Sequence, residues 1–215
     1  MDLLGILSIG MIGVALAVFG LRNYKLAVSA YVVQALILVC IFLVLASTHE
    51  DAGALYSWAF IALITKVIFV PYILFRLLKK IDIKSEDEPI TGFFVSPIIA
   101  LGFSLATAMS LYPIYLKFSL IQEHIPLIAA ITVFMLGIFG FILRKSAIKQ
   151  ILAFCTFENG IHLTLALTAY NSPGIVEIGI LTDAIFAVII MSILATRFYK
   201  YFGSVDVSKA SNLKG

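Results

Sequence analysis

Four ionisable residues lie inside long apolar stretches of the sequence, where charged side chains are rare. Lys66, Glu158, His162 and Asp183 are each about eight to twelve residues from the start of such a stretch. At a rise of about 1.5 Å per helical residue, this places all four near the middle of a bilayer. A lysine or aspartate at that depth costs roughly 2.5–3.5 kcal/mol on insertion scales, so we expect these side chains to face a partner or water.

A carboxylate at mid-membrane is suited to proton transfer. Loss of water favours its neutral form and a nearby cation favours its charged form, so the group is poised to take up and release a proton. We therefore predict that Glu158 and Asp183 carry protons, or exchange protons with sodium, through the membrane. Lys66 is expected to tune an acid electrostatically, and His162 to bridge by hydrogen bonds or water. Purely structural roles as interhelical contacts remain open, above all for His162 and Lys66.

The composition identifies an integral membrane protein. Apolar residues form 62% of the chain and charged residues 13%, about half the roughly 25% charged residues of a soluble domain. The two cysteines, Cys40 and Cys155, have no cysteine or histidine partner at a metal-ligand spacing, which argues against a disulfide framework, an iron–sulfur centre and a zinc site. The net charge of +3 is not concentrated in a basic patch, so no nucleic-acid partner is predicted.

Seven apolar segments are each close to the roughly 20 residues that a helix needs to cross the hydrocarbon core. They are continuous and lack the alternation of barrel strands, so the fold class predicted is an all-α integral membrane protein with seven transmembrane helices. The segments are 3–21, 26–46, 55–77, 92–112, 125–143, 150–170 and 174–198.

Basic residues indicate the orientation, because lysine and arginine are retained on the cytoplasmic side. They cluster after the first, third, fifth and seventh segments, and only Lys117 falls in another loop. This predicts an N-terminus outside and a C-terminus inside. The polar connection 79–92 is expected to be a solvated cytoplasmic turn.

Proline and glycine residues indicate how the helices bend and pack. Pro71 and Pro97 are expected to free backbone carbonyls and kink their helices, and a kink at Pro71 would open room for water near Lys66. Three glycines in the fifth and sixth segments are expected to allow close helix packing rather than ligand binding. They are Gly137, Gly140 and Gly160.

Two stretches near the C-terminus carry a family resemblance. "LRKSAIKQILAFCTFENGIHLTLAL" resembles the second helix of the three-helix subunit K of bacterial complex I, with Glu158 at its mid-membrane acid. "GILTDAIFAVIIMSILATRFYK" resembles the third helix, with Asp183 where a glutamate is usual. The whole chain is similar to the hydrogenase-4 component E family, membrane subunits of group 4 nickel–iron hydrogenases and formate hydrogenlyases. A four-helix part at 1–112 would precede a subunit K-like part at 113–215 with a short cytoplasmic tail.

The resemblance implies a non-catalytic subunit of an oxidoreductase complex in the cytoplasmic membrane of a prokaryote. Such a subunit has no cofactor of its own. Its expected partners are antiporter-like subunits, the membrane anchor, and the hydrogenase or related redox module.

Other functional classes are less well supported by the residues. A secondary transporter should show an internal repeat or matched broken helices, and neither is evident. A scaffold subunit would tolerate neutral residues at 158 and 183. A haem cytochrome would need paired histidines within spans, and only His162 lies in one. An independent enzyme is disfavoured because the sequence has no phosphate-binding glycine loop, nucleophile elbow or metal motif.

Overall fold

Within the residues that it describes, the computed structural model of the protein has seven helices that are long and apolar enough to cross a membrane. The predicted all-helical fold with seven long apolar helices is therefore confirmed. The structure describes residues 3–49, 51–86, 92–171 and 175–212, without the side chains of 175–178, 180–181, 183–184 and 211–212. The helices are α1 (Leu3–Gly20), α2 (Tyr24–Thr48), α3 (Ala54–Lys80), α4 (Val95–Leu116), α5 (His124–Leu143), α6 (Ala147–Thr168) and α7 (Ile175–Phe202).

The helices keep their backbone polar groups bonded internally, as a chain surrounded by hydrocarbon requires. At the start of α2, where the first amides lack helical partners, Asn23 Oδ1 accepts hydrogen bonds from the amides of Lys25 at 2.9 Å and Leu26 at 3.2 Å. Two isolated bridges, Asn23 with Ser85 and Ser146 with Asp206, are the only extended pairings in the described part of the chain.

The two prolines predicted to kink helices behave differently from each other. Pro97 lies in the first turn of α4, where its missing N–H has no helical partner to lose, so the predicted interruption there is wrong. Pro71 lies inside α3, two residues after the end of a seven-residue π-helical segment, Leu63–Phe69, with Lys66 in its last turn. The perturbation expected near Lys66 is therefore a π-helix, which the sequence analysis did not anticipate.

Helices α5 and α6 pack unusually closely through the predicted glycines. A Cβ atom added at Gly137 would lie 2.5 Å from the backbone of Phe157, and one at Gly160 would collide with the backbone of Phe134. The rings of Phe134 and Phe157 then contact each other in a tilted arrangement, with their centroids 4.8 Å apart. The expectation that these glycines serve helix packing is confirmed.

The connection between α3 and α4 differs from the predicted solvated turn. Its first part returns to the start of α2, with the Tyr24 amide donating to the Lys84 carbonyl at 3.1 Å and the Glu86 amide to the Arg22 carbonyl at 3.0 Å. Glu86 is only 2% exposed, so the prediction of a purely solvated turn is wrong at this residue. Residues 87–91 lie outside the described part of the chain.

We predict that Gly137→Ala lowers the stability of the full-length protein in detergent by about 1–3 kcal/mol, because the added methyl group pushes α5 away from α6. Thermal unfolding of the purified protein measures this. Gly13→Ala in α1 is the matched control, since nothing lies within 4 Å of the added atom. Equal unfolding temperatures for the two variants would contradict the packing role.

Candidate functional site

Lys66 is positioned by the π-helical segment of α3. The amide of Val70 donates to the carbonyl of Thr65, five residues earlier. The next residue, Pro71, has no amide hydrogen and could not donate to the Val67 carbonyl as a regular α-helix requires. The wider π-turn thus occurs where proline already removes a hydrogen bond. It directs Lys66 into the protein, where its side chain is 0% exposed.

Glu158 and Asn159, adjacent residues on α6, contact the lysine. Lys66 Nζ lies 3.2 Å from Glu158 Oε1 and donates a hydrogen bond to Asn159 Oδ1 at 2.9 Å. Glu158 is 4% exposed and Asn159 0%. The structure therefore brings together two residues that the sequence analysis placed at similar depth, in a buried ion pair between the third and sixth spans.

His162 lies one helical turn beyond Glu158. Its Nδ1 atom is 3.7 Å from Glu158 Oε1, which is too long for a direct hydrogen bond but close enough for an electrostatic contact. The ring is 5% exposed. Lys66 and His162 therefore both approach the same carboxylate oxygen of Glu158.

Asp183, the second predicted acid, lies within α7, but its side chain is outside the described part of the structure. Its relation to Glu158 therefore stays a prediction.

Three uncharged polar residues that the sequence analysis did not select also lie at or near this site. They are Asn159, Gln34 and Thr156. Thr156 Oγ1 donates to Gln34 Oε1 at 3.4 Å, which links α6 to α2, and both residues are buried. Gln34 is a polar side chain in the otherwise apolar second segment. Its isolated position there was the sequence signal that could have indicated a buried polar contact.

A second buried charged cluster lies at the end of the bundle where α1, α5 and α6 meet. Arg144 Nη1 donates to Glu86 Oε2 at 3.0 Å, and its guanidinium lies 4.4 Å from the centre of the Phe19 ring. Burial lowers the pKa of Arg144, and the negative charge of Glu86 opposes that shift.

Lys149 completes this cluster by capping a helix. Its Nζ donates to the carbonyls of Val18 at 2.6 Å and Phe19 at 3.1 Å, near the C-terminus of α1 where carbonyls lack helical partners. In the sequence, Arg144 and Lys149 belong to the basic residues after the fifth segment, which indicate only topology. The structure shows that both are buried and hold three spans and a connecting segment together.

Within the described residues, no group of three or more histidine, cysteine or acidic side chains is arranged to hold a metal ion. Cys40 is exposed on the outer surface of the bundle and Cys155 is buried, and neither forms a disulfide. The candidate site is built from the Lys66–Glu158 ion pair, the imidazole of His162 and uncharged polar side chains.

Comparisons with known proteins give two kinds of match. The family of NADH-ubiquinone/plastoquinone oxidoreductase chain 4L matches residues 125–215. Hydrogenase-4 component E of Escherichia coli strain K12 is 35% identical over 201 residues, covering 94% of this chain and 92% of that protein, and the protein of the same name from Shigella flexneri matches equally. An uncharacterized protein of Mycobacterium tuberculosis is 27% identical over 168 residues, covering 77% and 76% of the two chains. No solved structure matches significantly.

We predict that Lys66→Met destabilises the full-length protein by roughly 3 kcal/mol, because it leaves the Glu158 carboxylate buried without its cation. The double variant Lys66→Met/Glu158→Gln removes both charges and should regain most of that loss. Thermal unfolding of both variants in detergent measures the effect.

Lys79→Met is the control for these two variants. Lys79 is exposed, so this substitution should leave the unfolding temperature nearly unchanged. A double variant that unfolds as readily as Lys66→Met alone would show that the two side chains do not depend on one another.

Proposed function

We propose that Glu158 takes part in proton or sodium translocation by this chain, which belongs to the hydrogenase-4 component E family. The chain is a membrane subunit of a complex I-related complex. The observation that carries the proposal is the buried contact of 3.2 Å between Lys66 and Glu158. Intramembrane charged residues that pair with one another commonly mark ion pathways.

The arrangement around Lys66 allows Glu158 to change its charge. When a proton or a sodium ion neutralises the carboxylate, its attraction to the ammonium group weakens. Asn159 Oδ1 already accepts a hydrogen bond from Lys66 at 2.9 Å, so the lysine keeps a partner in either state. Asn159 thereby limits the cost of leaving the ammonium group buried beside a neutral acid. His162 Nδ1, 3.7 Å from the same carboxylate oxygen that Lys66 contacts, is placed to exchange a proton with Glu158 through water.

A line of polar groups supports access to Glu158 from the end of the bundle that carries Lys149. Lys149 and Glu158 are nine residues apart on α6, a distance of about 14 Å along the helix axis. A cavity of about 10 Å³ lies beside α6 and is lined by Lys149 and Thr156 among others, and about this volume admits one water molecule. Gln34, bonded to Thr156, continues the line, and we assign these groups to the route by which the ion reaches Glu158.

The orientation and the neighbours of the subunit are part of the proposal. The N-terminus would face outward and the C-terminal tail the cytoplasm of a prokaryotic cell, as the basic residues indicate. The part at 1–112 would supply Lys66, and the part at 113–215 Glu158 and Asp183. Helices α4 and α7 are the least buried of the spans, so we propose that they contact antiporter-like and membrane-anchor subunits or lipid. Redox chemistry in a hydrogenase-type module would drive the transport.

We predict that Glu158→Gln lowers redox-driven ion uptake per electron to less than about half, because glutamine keeps the shape and a hydrogen bond but cannot titrate. The measurement uses inverted membrane vesicles with the intact complex, scored beside complex assembly and electron transfer. Thr156→Val should slow uptake less, since it removes a hydroxyl group from the access route and leaves the carboxylate.

Glu123→Gln is the matched control for ion uptake, because Glu123 precedes α5 and is only partly buried.

Protease treatment of the same vesicles tests the proposed orientation. It should cleave the C-terminal tail, which that orientation places on the outer surface of inverted vesicles. For the uptake experiment, unchanged ion uptake per electron in an assembled Glu158→Gln complex would contradict the proposal and support a scaffold subunit without an ion path.

A further inference from the structure

A groove of about 410 Å³ runs between α3 and α7 at the ends where both helices carry basic residues. Arg76 and Lys80 line it from α3, and Arg197 lines it from α7. All three side chains are exposed. Because the third and seventh spans cross the membrane in the same direction, the three cations lie toward the same membrane surface.

The basic side chains of this groove have no acidic partner among the residues that the structure describes. No acidic residue lines it, and none of the three basic side chains takes part in an ion pair within the described part of the chain. Arginine and lysine are the residues that bind phosphate groups, arginine through paired hydrogen bonds and lysine as a point charge. The open end of the groove therefore suits an anion that carries a phosphate.

The deeper part of the groove has a different character. Ile73 and Leu77 on α3 face Ile189 and Ile193 on α7 across it. Ser192 lies among them, 8% exposed, and its hydroxyl group has no hydrogen-bond partner in the described structure. A buried hydroxyl group without a partner is costly, and a ligand with an ester or glycerol oxygen beside an acyl chain would satisfy it.

We propose that this groove binds the headgroup and part of one acyl chain of an anionic phospholipid. The groove has cations at the membrane surface and branched aliphatic side chains below them. An anionic phospholipid presents its groups in the matching order, with a charged headgroup at the surface and an acyl chain below it. A free phosphate or a nucleotide would bind only the cations and would leave the apolar part of the groove without a contact. The proposal does not depend on the role of Glu158, because the groove shares no residue with that site.

Native mass spectrometry of the purified full-length chain in detergent tests the proposal, with added phosphatidylglycerol or phosphatidylcholine of identical acyl chains. The wild-type protein should retain phosphatidylglycerol preferentially. The triple variant Arg76→Gln/Lys80→Gln/Arg197→Gln should lower that preference at least about tenfold, since each basic residue near the membrane surface contributes to the attraction.

The matched control is Lys79→Gln/Lys84→Gln/Lys200→Gln, which removes the same charge from exposed lysines outside the groove. It should keep the preference for phosphatidylglycerol. No preference in the wild-type protein, or an equal loss in the control, would overturn the proposal in favour of general surface electrostatics.

A second measurement does not depend on the folding of a triple variant. A photo-crosslinking amino acid replaces Ile193, which is 51% exposed, in the intact complex. Adducts with the mass of an anionic phospholipid support the site. Adducts with another polypeptide alone would show that the groove is a subunit interface, and would overturn the proposal.

Discussion

Burying a lysine and a glutamate in the apolar interior of a membrane protein is the constraint on which the rest of this structure depends. Each charge alone would be costly to remove from water, and the pair is tolerable only when the two groups meet with good geometry. Lys66 belongs to the third span and Glu158 to the sixth, and their atoms lie 3.2 Å apart. The contact thus requires these two spans to pack at a fixed depth and rotation.

Several local features serve this requirement. The π-helical segment before Pro71 turns Lys66 inward, and the hydrogen bond to Asn159 holds its ammonium group. Gly137 and Gly160 bring α5 against α6, which carries the acid. At one end of the bundle, Lys149 ties α6 to the C-terminus of α1. The site is therefore supported from several spans at once, as a buried polar network must be if its geometry is to stay defined.

The sequence was sufficient to predict the long apolar helices and to single out the charged residues within them, because continuous apolar runs of this length have few alternatives and a charge within them is conspicuous. It did not predict that Lys66 pairs with Glu158, since similar depth does not give rotation about a helix axis. The π-helix was also missed, because Pro71 predicts a perturbation but not its form. The buried contacts of Arg144 and Lys149 were missed because a basic residue after a span looks the same in sequence whether it is solvated or caps a neighbouring helix.

The central claim is that the charge of the Lys66–Glu158 pair is used for transport and does not serve packing alone. The most direct test is redox-driven ion uptake per electron by the intact complex carrying Lys66→Met/Glu158→Gln, in which both charges are absent and the two side chains can still pack. Our account predicts an assembled complex that transfers electrons but takes up fewer ions per electron than the wild-type complex. Wild-type uptake per electron in that complex would contradict it.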